Sequence, residues 1–369
     1  MKWSDRQTSR RQFVAGTLGS AVSALVFSDS SAWSSVEGPI TFGLCADVHQ
    51  DVMHDGEERI GAFVHAMNQR GVDFIAQLGD FCIPKETNRQ FLEAFHRFGG
   101  AHYHVLGNHD TDSDNLTKKG YSKSETRRFW GMEANYYTFV LRGVRFVVLD
   151  GNDLNPAADP GQYPRHVGDE QRQWLDNLLS RTDEPLVFFS HQSLQNEEGL
   201  DNAAEIRAIL EQADQRASGR RVLASFSGHH HLNDWVAIRQ IPYVQINSMS
   251  YFWVGENCEN FAYPRHIHDS APMLQFTAPY RDPIWSVVTL DPASSTIQIT
   301  GRASEWAGQH PDELGYESPP SRRQGMEPRS SDWTIHPDAR AEAMRDPPQS
   351  ATPDEPAPGA PVTDPESRP

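Results

Sequence analysis

The feature that most restricts this chain is a pattern found five times: a short apolar run stops, and residues able to bind metal or move protons follow at once. The fullest case is Ala101–Asp110, AHYHVLGNHD. Tyr103–Leu106 is short, mostly apolar and bounded by glycine, so it reads as a buried strand. Gly107 turns the backbone, and Asn108, His109 and Asp110 are thrown out at the strand's end. Open α/β sheets collect ligands there, beyond the carboxyl ends of their strands. An amide oxygen can ligate a divalent cation, an imidazole can move a proton near neutral pH, and a carboxylate can orient an imidazole. Alone, GNHD reads equally well as a polar turn. Its recurrence decides against that.

Ile40–Cys45 (ITFGLC) runs into Asp47 and His49, and Val72–Leu78 (VDFIAQL) into Gly79 and Asp80. Leu186–Phe189 leads to Ser190 and His191, and Val222–Phe226 to Gly228, His229, His230 and His231. Helical spacing fills the gaps between the first three runs, over Glu57–Arg70 closed by Gly71 and over Lys85–Phe98 closed by Gly99 and Gly100. Strand–helix–strand–helix–strand at this pace is a βαβαβ unit with a parallel sheet. Further helices are expected over Asp169–Leu179 and Ala203–Gln212. Hairpins are expected over Tyr136–Leu141 with Val144–Leu149, Trp235–Ile238 with Tyr243–Ile246, and Trp285–Leu290 with Thr296–Thr300. Tyr251–Tyr280 is aromatic and proline-rich without periodicity, too long for an idle loop, and reads as a cover over the site. Asp112–Trp130 carries Lys118, Lys119, Lys123, Arg127 and Arg128. It is either a solvated helix face or a lip that attracts an anionic substrate.

With 369 residues the chain can bury one large core or two ordinary ones. Its net charge of −17, from 50 acidic against 33 basic residues, argues against general binding to nucleic acid or an anionic membrane. A small phosphate substrate is not excluded, because a metal pair inverts the local field. Cys45, Cys82 and Cys258 are too few for a disulfide framework and lack zinc-ligand spacing, so they read as buried thiols, with a Cys45–Cys82 contact left open. Lys2, Arg6, Arg10 and Arg11 precede a weakly apolar run, Val14–Phe27, that glycine and serine interrupt and that is short for a bilayer span. Ser9–Val14 resembles a twin-arginine export signal, although Ala15 stands where lysine is common, and Ser30–Ala32 offers a cleavage point. The expected organisation is a signal peptide over 1–34, one domain over 38–303, and a proline-rich acidic tail over 304–369. That tail is expected to be largely disordered, with Trp306, Trp333 and Ile335 able to dock its beginning. Such a signal hands the precursor to the twin-arginine machinery and leaves an exported, periplasmic or extracellular chain without a membrane span; a retained anchor is the alternative.

Collected from the strand ends, Asp47, His49, Asp80, Asn108, His191, His229 and His231 are an oxygen and nitrogen set without thiolate. It favours Mn, Fe, Zn, Co or Ni over calcium or structural zinc. Residues two apart on a strand share a side, so Asp47 with His49, and His229 with His231, each offer two ligands to one place. Seven ligands exceed the needs of one ion. They suit two divalent ions roughly 3.5–4 Å apart with Asp80 shared, the geometry used for in-line displacement at phosphorus.

The order D-x-H, GD, GNHD, H, GHxH over Ile40–Gly301 resembles the calcineurin-like metallophosphoesterase superfamily. The resemblance implies an α/β fold, a four-layer α/β/β/α sandwich of two mixed sheets flanked by helices. It implies that Asp47, His49, Asp80 and His231 hold one metal ion, and that Asp80, Asn108, His191 and His229 hold the second. His109 is then the proton donor and phosphate contact, Asp110 orients it, and His230 points away. The implied activity is hydrolysis of phosphomonoesters, or of phosphodiesters and nucleotides, by a hydroxide held between the ions. Purple acid phosphatases carry tyrosine three residues after the GD aspartate; Ile83 stands there. The compact length and D-x-H start are closer to bacterial class III cyclic-nucleotide phosphodiesterases and manganese-dependent ADP-ribose/CDP-alcohol diphosphatases. The alternatives are an inactive metal-binding or scaffold protein on the same fold, and a binding protein with a single metal.

Overall fold

The structure, a computed structural model, describes residues 32–337 except 113–119, 159–162, 197, 217–220, 318–322 and 324. Strand β1 (Ile40–Cys45), helix α1 (Gly56–Arg70), β2 (Phe74–Gln77), α2 (Arg89–His96) and β3 (Ala101–His104) form the expected βαβαβ unit, with both strand pairs parallel. Ile60, Phe63, Val64 and Met67 lie buried along α1, and Gly71 ends it in the left-handed conformation at φ 63°. The helix expected over Lys85–Phe98 is split. A 3-10 turn at Glu86–Asn88 precedes α2, because the Asn88 amide donates to the Ile83 carbonyl and the Asp51 carboxylate and so fixes the entry. The third strand ends at His104, yet Val105 still donates to the Gln77 carbonyl at 3.0 Å and stays buried.

Next come α3 (Lys123–Trp130), opened by a reciprocal Ser122–Glu125 capping box, and the hairpin β4 (Tyr137–Leu141) with β5 (Val144–Val148). They lead to α4 (Asp169–Arg181), β6 (Leu186–Ser190), α5 (Ala203–Arg216), β7 (Val222–Ser227), β8 (Asp234–Ile238) and β9 (Ile241–Gln245). The cover segment holds a small ribbon, β10 (Tyr251–Trp253) paired with β11 (Thr277–Pro279), and a short helix between them, α6 (Arg265–Ser270). The chain closes with β12 (Ser286–Asp291), β13 (Thr296–Gly301) and β14 (Trp333–Ile335).

One six-stranded sheet runs β14-β13-β12-β1-β2-β3 and the other β4-β5-β6-β7-β9-β8. Both mix parallel and antiparallel pairs. Their inner faces meet in an aromatic core, where Phe42 and Phe74 stack at 4.7 Å and meet Phe146 and Phe189 edge to face. Outside, α1 and α2 cover the first sheet with Phe63, Met67, Phe91 and Phe95, while α4 and α5 cover the second with Leu175, Leu179, Ile206 and Leu210. Strands buried on both faces read as unbroken apolar runs, which is why they were legible. The result is the expected four-layer sandwich.

The folded body passes the boundary expected at 303. Trp333–Ile335 pair antiparallel with Ile297–Ile299, and Ile335 is buried in the inter-sheet core. An otherwise bare edge of β13 is thereby covered. Trp306 packs on Tyr280, so all three docking residues do dock. At the other end Trp33 and Val36 belong to the same core. A signal ending at 34 would remove that indole, whereas a cut after Ala32 keeps it. Arg10, Arg11, Lys118, Lys119 and the tail beyond residue 337 lie outside the described residues. Among the described residues no helix is long and apolar enough to cross a membrane. All three thiols are free and buried, Cys45 and Cys82 in the same cluster under α1 and α2.

Candidate metal centre

The polar strand ends converge at one edge of the sandwich and open into a cavity of about 580 Å³. Asp47, His49 and His231 form one group and Asp80, His191 and His229 another, with ligand atoms in each lying within 4.8 Å of one another. His49 Nε2 is 3.2 Å from His231 Nε2, and Asp47 Oδ1 is 3.3 Å from the latter. On the other side His191 Nε2 lies 2.8 Å from Asn108 Oδ1 and 3.2 Å from His229 Nδ1. Asp80 Oδ2 stands between the groups, 3.6 Å from His49 Nε2 and 3.1 Å from His191 Nε2. All seven expected ligands are brought together.

Strand alternation is not what aligns them. Asp47, His49, Asp80, His229 and His231 lie past the strand ends with φ of 50°, 51°, 51°, 74° and 53°. Left-handed backbone costs such residues roughly 1–3 kcal/mol each, so surrounding contacts must hold it. Amide bonds supply them: Asp47 donates to Gly79 O and His49 to Asp80 O. Ser248 and Ser250 hydroxyls donate to the Asp47 and Val48 carbonyls, each at 2.8 Å. Close approach makes two glycines obligatory. A Cβ at Gly107 would lie 2.2 Å from Asp80 N, and one at Gly79, itself at φ +94°, would lie 2.5 Å from His191 Nδ1.

Hydrogen bonds behind the ligands set their tautomers. His191 Nδ1 donates to Leu78 O and His231 Nδ1 to Tyr251 O, both at 2.8 Å, which leaves each Nε2 as a lone pair facing the centre. A neutral His191 therefore points a lone pair at the Asn108 oxygen, and two acceptors at that distance need a proton or a cation between them. A donor set of imidazoles, carboxylates and one amide oxygen fits divalent transition ions. Without them the protons redistribute. Burial pushes His49 and His229 well below the usual imidazole range. Burial acts the same way on His191, but the Asp80 carboxylate overrides it and raises His191 to about 9. Although burial opposes its charge, Asp80 is held well below the usual carboxylate range by His191, His109 and His49.

His109 sits at the cavity with its side chain 46% exposed and its backbone N–H donated to Asp80 Oδ1 at 2.9 Å. Its Nε2 is 4.0 Å from Asp80 Oδ2. Asp110 departs from expectation. Its carboxylate accepts the backbone N–H groups of Gly107, Asp80, Phe81 and Cys82 at 2.7, 3.0, 2.7 and 3.1 Å. Both oxygens are committed to the Asp80 loop, which corrects the reading that Asp110 acts on the His109 imidazole. Burial and the Asp80 charge push Asp110 up to about 8, opposed by the amides of Gly107 and Phe81. His230 turns away, its Nε2 2.9 Å from Ser193 Oγ, as expected.

Sequence reasoning missed Ser248, Ser250 and Tyr251, whose ring stacks on His49 at 5.1 Å. The signal was present: Asn247-Ser248-Met249-Ser250 follows the apolar strand β9 directly, but hydroxyls do not read as metal ligands. It also missed Asn152, which donates to Leu106 O at 2.8 Å and accepts from Gln192 at 2.7 Å, tying the Asn108 and His191 loops together. A separate group, His96, His102 and His104, has metal-like spacing. Its tautomers argue otherwise. Gln77 Oε1 accepts from Gly79 N, so Gln77 Nε2 donates to His104 Nδ1, and His104 Nε2–H is left to donate to His96 Nε2 at 3.3 Å.

Comparison with known proteins agrees with this geometry. Residues 40–233 match the calcineurin-like phosphoesterase family. A curated relative, the manganese-dependent ADP-ribose/CDP-alcohol diphosphatase of Arabidopsis thaliana, is 25% identical, with 41% of this chain and 67% of the relative covered. The fold is shared with a dimetal phosphatase from Danio rerio, at a TM-score of 0.51 and 15% identity over 80% of this chain and 98% of that one. A family match over more than half of the chain settles its membership: this is a calcineurin-like phosphoesterase, a phosphoric ester hydrolase built around a dinuclear metal centre.

Proposed function

We propose that this hydrolase cleaves small phosphate esters, including nucleotide-type diphosphates, outside the cytoplasm with two divalent ions sharing Asp80. The observation that carries the reading is the position of Asp80 Oδ2, within 3.6 Å of one histidine group and 3.1 Å of the other. Asp47, His49 and His231 complete the first ion's ligands, and Asn108, His191 and His229 the second's. When bound, the ions supply Lewis acidity, neutralising phosphate charge and making water acidic enough to attack near neutral pH.

The chain's own residues do the rest. Carbonyls of Leu78 and Tyr251 hold His191 and His231 in the ligating tautomer. His109, fixed through its own backbone amide and exposed to the cavity, is placed to give a proton to the departing oxygen. The name of the plant relative makes manganese and a diphosphate the first metal and substrate to test. Hydrolysis of a panel of phosphomonoesters, diesters and nucleoside diphosphate esters, assayed with Mn, Zn and Fe, is the experiment. Turnover of at least one class that stops on chelation is expected, and no turnover with any metal would reject the proposal.

Export rests on Arg10 and Arg11, and the buried Trp33 favours a cut between Ala32 and Trp33. Changing both arginines to lysine should leave precursor in the cytoplasm. Mature protein outside the cytoplasm despite that change would remove this part of the reading.

A further inference from the structure

The cavity is far larger than a phosphate. At about 580 Å³ it falls within the roughly 300–1,000 Å³ that encloses a drug-sized ligand, which leaves room for an organic part of the substrate beside the phosphate. One wall of that space is apolar and left open. Among the described residues the large exposed hydrophobics are Val140, Leu154, Trp253, Phe261 and Met273, and three of these five belong to the cover segment. Trp253 and Met273 both line the catalytic cavity, 37% and 42% exposed. Ligand pockets are typically lined by apolar and aromatic side chains with a few placed polar groups, and Trp253 and Met273 supply the apolar part here.

Rings lead from the metal ligands to that wall. Tyr251 stacks on His49 at 5.1 Å, and Trp253 follows Tyr251 at 6.5 Å. The indole is set by the pairing of Trp253 with Thr277 and by the edge of Phe276 at 6.3 Å. It is therefore a fixed surface two ring steps from His49. Met273, which lines the same cavity, adds a polarizable thioether, a good neighbour for an aromatic ring. Among the polar lining residues, the Asp51 carboxylate is already engaged by Ile83 N, Asn88 and Lys85.

From this juxtaposition we infer that Trp253 and Met273 form a specificity subsite for a flat aromatic substituent of the phosphate ester, a nucleobase or an aryl group. The inference rests on the phosphoesterase reading and deepens it by naming the substrate class. Stacking on an aromatic side chain tolerates any flat ring, so the two sources share one chemistry.

Binding of ligands that cannot be hydrolysed separates this inference from the activity itself. Phenylphosphonate, methylphosphonate and the phosphonate analogue of AMP, in which a methylene replaces the 5′ ester oxygen, would be titrated calorimetrically into the Mn-loaded wild type and into Trp253→Ala, Trp253→Phe and Met273→Ala. Wild type should prefer phenylphosphonate over methylphosphonate, and Trp253→Ala should cut that ratio by roughly 10–100-fold. Trp253→Phe should restore most of it, and Met273→Ala should cut it several-fold. Preference for the AMP phosphonate over phenylphosphonate identifies a nucleobase as the occupant, and the reverse identifies an aryl group. A ratio near one in wild type, or one that survives Trp253→Ala, overturns the subsite even if the enzyme is active. A wild type that binds aromatic phosphonates through Trp253 but hydrolyses nothing would keep the subsite and reject the activity.

Discussion

The two halves of the metal centre are supported from opposite directions. Asp47, His49 and His231 lean on residues after β9: Ser248 and Ser250 hold the loop, and Tyr251 contributes a carbonyl to His231 and a ring to His49. Asp80, Asn108 and His191 lean on the sandwich itself, through the Leu78 carbonyl, the Asp110 clamp and the Asn152 tie. One half is thus coupled to the segment that walls the substrate cavity, and the other to the core of the sheets. The lesson is that a symmetric-looking ligand set can be built on unequal foundations. Asp80 is the carboxylate set between them, and backbone amides join them as well, since Asp47 and His49 donate to Gly79 and Asp80 and His229 donates to Asp47.

That asymmetry can be broken at its shared point. Asp80→Asn removes the charge common to both groups and should cost roughly 10³-fold or more in kcat/KM, more than loss of any other single ligand. His109→Ala comes next. It should lower kcat by about 10²–10⁴-fold with metal content intact, the result expected of a group that protonates the leaving oxygen. The loss should be smallest for nitrophenyl esters, whose leaving group needs no proton. Equal losses across leaving groups would leave His109 with phosphate binding alone.

Smaller changes sharpen the contrast between the halves. Ser250→Ala should weaken one ion by about 10–100-fold, as residues behind metal ligands typically do, and Asn152→Ala should weaken the other. Competition titrations with a chelator would show one changed step in each variant. Loss of both ions together in either variant would mean that the two foundations are not independent.

A further effect is one of pH. In the metal-free chain His191 is raised to about 9 by Asp80, above its value in an unfolded chain. Its protonation therefore stabilises the metal-free fold fully below about pH 6.5, and that contribution fades as pH rises through about 9. The Tm of the chelated protein should fall over that window while the metal-loaded protein stays flatter, the ion having replaced the proton. Parallel profiles would contradict the pairing.

What could be read in advance follows a physical division. Helix α1 and the strands of both sheets have short-range signatures: apolar positions at helical spacing, unbroken apolar runs, and Gly71 as a stop. The seven candidate ligands were legible because each sits directly beyond such a run. Backbone handedness at Asp47 or His231 was not, since it is imposed by contacts from distant segments. Nor was the role of Asp110, which depends on four amides converging from two loops. β14 joins its sheet after a long excursion through proline-rich sequence, where composition suggests no strand.

The central claim is that one carboxylate, Asp80, joins two metal sites into one centre. Metal content after extensive dialysis, with calorimetric Mn titration of wild type and Asp80→Asn side by side, tests it most directly. Two ions per wild-type chain, and at most one weakly held ion in Asp80→Asn, is the result this account predicts. Two tightly held ions in Asp80→Asn, or a single ion in the wild type, would contradict it.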